Sequence, residues 1–404
     1  MQNIEVAVIG GGAAGFFAAI SCKTHHPDAR VTLYEKSDKL LAKVKVSGGG
    51  RCNVTHACFS NSKLAEYYPR GGKQLKKAFA YFTTTDTVNW FESRGVKLKT
   101  EEDNRMFPVS ENSQTIINCL LQEANKLGVV VDMRQPILAI EKQNPGFDLT
   151  LRDKTNHADI VIIASGGSPK KEGFEWLEKL GHTIESPVPS LFTFNMPNEE
   201  VKTLMGVSVE KTSVRIPGTK LKSEGPLLIT HWGMSGPAIL KLSAWGARIL
   251  NEIDYRFSIQ VNWLGYINEE RAREMFGKER EMHPKRTVAN SESFKLPNRL
   301  HLFLLAKIGI DPGVTLEGLG KKNMNRLLNV LVNDEYKVEG KTTFKEEFVT
   351  CGGVGLNNVS MDTMQSKACK GMYFAGEVLD VDGVTGGFNF QAAWTTGFIA
   401  GKLL

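Results

Sequence analysis

The sequence predicts an α/β fold carried by two separated stretches of chain, with a β-rich and helical insertion between them. Three observations point there. The first 35 residues run strand, glycine turn, helix, strand. Near Ser186-Pro187-Val188-Pro189-Ser190 the texture changes to short alternating runs broken by Pro-Gly turns. From about residue 345 the opening style returns, with a short strand and a small-residue apolar helix at the end. One discontinuous domain of residues 1–190 and 345–404 follows. The insertion spans 191–344, β-rich over 191–262 and mainly helical over 263–344.

The first unit is the most informative. Ile4-Glu5-Val6-Ala7-Val8-Ile9 leads into Gly10-Gly11-Gly12-Ala13-Ala14-Gly15, and Glu35 ends the next strand, Arg30 to Tyr34. In a βαβ unit of the Rossmann type Gly10 makes the tight turn, Gly12 admits a pyrophosphate and Gly15 packs the helix on the strand. Free N–H groups and a partial positive charge at the helix start favour phosphate. Gly10, Gly12 and Ala14 thus hold the ADP half of a dinucleotide, and Glu35 accepts from a ribose diol. Lys36 either covers the adenine edge or is an exposed lysine.

A helix is expected around Gly72 to Gly95, and another from Gln114 to Leu127, stopped by Gly128. Strands follow at 129–132, 136–141, 147–151 and 158–164. Ile137, beside Pro136, is a candidate backbone contact to adenine. Ala158 to Ala164 is nearly continuous in apolar residues, as a strand buried on both faces is. It runs into Ser165-Gly166-Gly167, so Ala164 and Gly166 either line the pyrophosphate or only turn the strand. In the insertion, strands are expected at 191–195, 211–216 and 227–230, followed by helical, charged sequence. The dense mixed-charge run from Asn268 to Arg286 reads as a solvated helical face. Near the end, Phe374-Ala375-Gly376-Glu377 closes a strand and Phe390 to Leu403 forms the last helix.

Composition narrows the classes. The chain has 404 residues, 41% hydrophobic and 23% charged, with a net charge of +6. That balance fits a globular protein and argues for neither nucleic acid nor membrane as a partner. No apolar run approaches the roughly 18–20 residues of a membrane span. The six cysteines are scattered without a CxxC pair, which suggests reduced thiols and a cytoplasmic location. Cys52 and Cys58 lack a second ligand pair, so no metal site is expected.

Only one complete GxGxxG is present, because Gly166-Gly167 lacks the third glycine. A second nucleotide domain is therefore not expected. Instead, glycine-rich stretches lie far from the first: Ser47-Gly48-Gly49-Gly50-Arg51-Cys52-Asn53, and Gly383 through Gly386-Gly387-Phe388-Asn389-Phe390-Gln391-Ala392. An extended FAD needs distant segments of this kind. Together with Arg105-Met106-Phe107-Pro108, Thr230-His231-Trp232-Gly233-Met234-Ser235-Gly236-Pro237 and Cys351-Gly352-Gly353-Val354, they resemble the HI0933-like family of bacterial FAD-dependent oxidoreductases. The departures are Ala42 before Lys43, where relatives carry a basic residue, and His56-Ala57-Cys58, where Asn is more usual.

The resemblance implies non-covalent, extended FAD in a two-part domain. It leaves the substrate open, since related proteins are enone reductases of bile acids or aminoacetone oxidases. Gly376 and Glu377 are expected at the ribityl chain. Asn389, Phe390, Gln391 and Ala392 open the last helix towards the flavin N1–C2 edge. Ser47, Gly48, Cys52 and Asn53 form a loop along the ring, where Lys43 and Arg51 bring positive charge. Cys52 is either a redox thiol or a small buried residue. His231 either delivers a proton to a small-molecule substrate or pins the insertion. Arg105 is a candidate for a substrate carbonyl or carboxylate. Hydride passes between substrate carbon and flavin N5, with NAD(P)H visiting in alternation. A flavin-bearing RNA-modification protein, or a non-catalytic interaction protein, are the rival readings.

Overall fold

The computed structural model describes residues 4–342 and 349–404, and these divide into two compact units, 4–190 with 349–404 and 191–342. The first is built on a five-stranded sheet in the order Met372–Phe374, Ile160–Ile163, Glu5–Ile9, Arg30–Glu35, Val130–Met133, all parallel. The central strand is buried at Val6, Ala7 and Val8, and Val8 pairs with Leu33 on one side and Ile162 on the other. A sheet flanked by helices buries such strands on both faces, which is why they read as unbroken apolar runs. The chain leaves the central strand between neighbours on opposite sides. That opens a crevice at the carboxyl ends of Glu5–Ile9 and Ile160–Ile163.

The opening helix, Ala13–His25, and the closing helix, Phe388–Gly401, lie against each other. Glycine permits the approach: a Cβ on Gly397 would stand 2.7 Å from the Ala14 carbonyl oxygen, and one on Gly401 2.3 Å from that of Ala18. The aromatic centre of this unit is Phe17, with Trp90, Trp394 and Phe82 at 4.7, 5.2 and 5.3 Å. Two expectations need correction here. The helix read over 72–95 is two helices, Gly72–Ala78 and Thr84–Glu92, because Thr83 and Asp86 form a capping box that starts the second afresh. The run 158–164 also splits. Its first residue ends the strand Thr155–Ala158 of a separate antiparallel sheet, with Ala139–Lys142 and Phe147–Thr150, and only Ile160–Ile163 joins the parallel sheet.

The second unit is a seven-stranded antiparallel sheet ordered Asp334–Glu339, Arg256–Asn262, Ser208–Arg215, Lys222–Ile229, Gly233–Ser235, Thr193–Asn195, Lys341–Thr342. Its first and last members are consecutive pieces of one run of chain, joined at Gly340 with φ +109°. One stretch thus serves both edges and curls the sheet closed, which removes open edges. This run falls in the half read as mainly helical, and period-2 burial along Asp334–Glu339 marks it as strand. The long helices are Pro237–Glu252, Glu269–Met282, Asn298–Lys307 and Gly320–Val332. Glu269–Met282 is not a fully solvated face either. Glu279 is 5% exposed and accepts from Ser291, Ser293, Arg286 and the Glu292 N–H.

Candidate cofactor and active site

The crevice begins at the first glycine turn. Gly10 has φ +116°, and a Cβ there would lie 2.3 Å from the Ala164 carbonyl oxygen. A Cβ on Gly15 would lie 1.9 Å from the Gly10 carbonyl oxygen, so helix, turn and neighbouring strand interlock through missing side chains. Gly12 is different, because a Cβ there would meet nothing within 4 Å. Gly166, with φ +76°, also faces open space. The opening helix carries no side-chain cap and no acid in its first turn. Its first N–H groups therefore remain available to an anion.

Glu35 sits beside this turn. Its Oε2 accepts from the Gly11 N–H at 2.8 Å, and its Oε1 from the Ser37 N–H and hydroxyl, each at 2.8 Å. The carboxylate is thereby fixed in place, with a lone pair on Oε2 left for a further donor. Gly11, which the sequence reading passed over, has to be small here: a Cβ would stand 3.0 Å from Glu35 Cβ. The Gln135 N–H donates to the Glu35 carbonyl at 2.9 Å, which brings the segment carrying Ile137 alongside. Lys36 is exposed.

The distant glycine segments meet each other. Ser47 leaves the helix Ala42–Gly50 at ψ 147°, and Gly48 and Gly49 are left-handed. Cβ atoms on Gly49 and Gly50 would meet nothing within 4 Å. With its amide oriented to satisfy both neighbours, Asn53 accepts from the Gly387 N–H at 3.0 Å and donates to the Thr55 carbonyl at 2.9 Å. His56 Nδ1 lies 3.1 Å from the Gly386 carbonyl oxygen, and Trp394 Nε1 donates to the Val54 carbonyl at 2.9 Å. Gly387, at φ +92°, starts the closing helix, which also lacks a side-chain cap and a first-turn acid. A second open helix terminus results.

Glu377 is half-buried. Its Oε1 accepts from the Thr350 N–H at 2.9 Å, and its Oε2 pairs with Lys43 at 2.6 Å. The Thr350 hydroxyl is buried without a hydrogen-bond partner, against Gly167. Gly376 touches the opening helix, since a Cβ there would lie 2.7 Å from Ala14 Cβ. Two uncapped helix starts, four glycines facing open space and an orphaned hydroxyl fit an extended dinucleotide whose phosphates and ring edge are held by backbone.

Several side chains nominated from the sequence are struts instead. Cys52 is 0% exposed, and burial pushes its thiol up to about 12, so it touches no ligand and stays protonated. Gln391 is 0% exposed: its Oε1 accepts from Thr55 and Thr87, its Nε2 donates to Thr395, and its N–H donates to the Gly387 carbonyl. The Asn389 amide clamps Gly383 at 2.8 and 2.9 Å, which leaves Asn389 its N–H group, and the Phe390 ring stacks on Trp394 with centroids 5.7 Å apart. Ala392 is 5% exposed, one turn inside the helix. Arg51 pairs with Glu101 at 2.7 Å and Glu111 at 3.1 Å and lies over Phe107. Arg105 pairs with Asp103 and Glu101, so the carboxylates on it are the chain's own. His231 belongs to the other unit, exposed at the turn between Lys222–Ile229 and Gly233–Ser235, with its ring edge-on to Trp232 at 4.3 Å.

Sequence reasoning also missed the pair of Arg70 with Asp382. Asp382 is fully buried, and Ser190 donates to it at 2.7 Å. The two residues are over three hundred positions apart, and no local pattern links them. Among the described residues, no helix is long and apolar enough to cross a membrane.

The family model for the HI0933-like protein Rossmann domain matches residues 4–403, and the chain belongs to that family. It is 30% identical to the ribosomal RNA dihydrouridine synthase of Escherichia coli K12, over 98% of this chain and 96% of that one. It is 27% identical to the 3-dehydro-bile acid delta(4,6)-reductase of Clostridium scindens, over 98% of each. Two solved structures share the fold. They are the 3-ketosteroid delta1-dehydrogenase of Sterolibacterium denitrificans (12% identical, 99% of each chain, TM-score 0.51) and the 3-ketosteroid-delta4-(5alpha)-dehydrogenase of Rhodococcus jostii RHA1 (13% identical, 99% and 98%, TM-score 0.50).

Proposed function

We propose that this member of the HI0933-like family, an FAD-dependent oxidoreductase, reduces a carbon–carbon double bond conjugated to a carbonyl in a planar ring. The two relatives' names describe that chemistry: one makes dihydrouridine, and the other reduces the delta(4,6) bonds of a 3-dehydro-bile acid. The carrying observation is the uncapped start of the closing helix, framed by Gly386 and Gly387 and braced by Asn53. Its positive end suits the negative charge that gathers at the flavin N1–C2 edge on reduction.

Bound FAD supplies a two-electron centre that accepts and returns a hydride. The chain's own residues do the rest. Gly10, Gly12, Ala14, Ala164 and Gly166 hold the pyrophosphate by backbone, and Glu35 orients the adenosine ribose. Glu377 takes a ribityl hydroxyl while Lys43 offsets its charge. Ser47, Gly48 and Gly376 meet the cofactor through backbone. His231 remains the proposed proton donor of the insertion, and NAD(P)H the proposed reductant, alternating with substrate at one site. Anaerobic mixing of the holoprotein with NADH, then with an enone, tests this. The expected result is bleaching and then return of the yellow colour. A flavin that stays yellow with both NADH and NADPH overturns it.

A polymeric substrate is the second reading. The ribosomal RNA named for the Escherichia coli relative supports it, as does the charge distribution, since most of the net +6 falls within residues 191–342. RNA binding that weakens steeply between 50 and 200 mM salt is its expected signature.

A further inference from the structure

His56, Tyr67 and Phe388 form one aromatic cluster beside the glycine turn that opens the closing helix. Tyr67 stacks on Phe388 with centroids 4.3 Å apart and planes 12° from parallel. His56 lies 4.5 Å from Phe388 and 5.6 Å from Tyr67. Every member is tied down. A carbonyl only accepts, so His56 Nδ1 carries the hydrogen in its contact with the Gly386 carbonyl oxygen. The Tyr68 hydroxyl donates to the Phe388 carbonyl at 2.6 Å, and the Val384 N–H donates to the Tyr67 carbonyl at 2.9 Å.

Phe388 is 1% exposed, whereas Tyr67 is 38% exposed. Of the stacked pair, only Tyr67 has ring surface left for a further contact. An aromatic held rigid with part of its surface open is pre-organised for a flat ligand, because little side-chain entropy is lost on stacking. The histidine adds a polar ring edge, at the position where the family pattern has Asn.

We propose that these three rings form a ledge that stacks the planar conjugated ring of the substrate, with Tyr67 as its contact face. The assignment rests on the reductase reading for the class of ligand, and it is tested by binding rather than turnover. Equilibrium dialysis of the oxidised holoprotein against uridine and, separately, against progesterone supplies two planar probes of that chemistry.

At least one probe binds the unaltered protein. Tyr67→Leu weakens that probe about tenfold or more, within the range of single-ring stacking. Tyr67→Phe stays within about twofold, and FAD content and melting temperature are unchanged in both variants. Neither probe binding the unaltered protein overturns the ledge, and so does equal binding by Tyr67→Leu. Loss of FAD together with the probe in Tyr67→Leu overturns it as well, by assigning the ring to the cofactor. Tyr67-dependent binding without any turnover keeps the ledge and rejects the reductase reading.

Discussion

The crevice of the first unit and the carboxylate clusters of the second treat polar groups in opposite ways. In the first, the donors around the crevice are backbone N–H groups at two uncapped helix starts, flanked by glycines that face open space. In the second, buried charge is closed off. Glu279 accepts from two serine hydroxyls, two backbone N–H groups and Arg286, and Asp334 accepts from Trp263, Tyr336 and Lys307. Open donors need water or a ligand to satisfy them, and the open glycines beside the crevice leave room for either. Saturated carboxylates stabilise a fold and offer nothing to a visitor.

The sharpest way to break this contrast is Gly15→Val. Its side chain has to displace the Gly10 carbonyl, so FAD content and soluble yield both collapse in purified protein. Next comes the buried pair. Asp382→Asn leaves Arg70 half-paired in a site where burial already raises the carboxyl's pKa, and costs about 3–5 kcal/mol in urea unfolding. Replacing both partners with apolar residues recovers most of that loss. A double variant as unstable as the single would show that Asp382 holds more than its arginine.

Glu279 tests the second unit through pH. Serine, backbone and Arg286 hydrogen bonds hold its carboxyl down from 4.5 to about 2, against desolvation. A folded pKa below the unfolded one stabilises above the unfolded pKa and loses that stability as pH falls through the folded one. Glu279→Gln is therefore expected to cost about 3 kcal/mol at pH 7, at roughly 1.36 kcal/mol per pKa unit. The difference between variant and parent shrinks between about pH 4.5 and 2. A pH-independent gap would remove the carboxylate from the explanation.

A smaller effect separates binding from folding. Gly12→Ala adds a methyl into open space, so the melting point of the apoprotein should hold while FAD affinity drops about tenfold, which is about 1.4 kcal/mol. The smallest concerns Cys52. With its thiol pushed up to about 12 and its surface covered, it resists iodoacetamide in the native state, and Cys52→Ala leaves FAD content unaltered.

What was legible followed local rules. The strand, glycine turn and Glu35 carry their geometry within about 35 residues, and the glycine segments at 47–53 and 383–392 announced a second contact region. Misreadings arose where partners are distant. Arg51 looked like an open cation, but Glu101 and Glu111 far along the chain occupy it. Arg105 is the exception, since its partners Asp103 and Glu101 lie just before it in sequence. Gln391 looked like a ligand, but Thr55 and Thr87 surround it. Glu279 looked solvated inside a charge run, and only the return of Ser291 to Ser293 buries it.

The amino-acid order alone therefore determined the α/β class and the glycine turn of its Rossmann unit, because these depend on periodicity and on glycine's reach in φ and ψ. Tertiary structure decided which polar side chains remain available. A hydrogen bond between Asn53 and Gly387, or a charge pair between Arg70 and Asp382, exists only once chain hundreds of residues apart is brought within 3 Å.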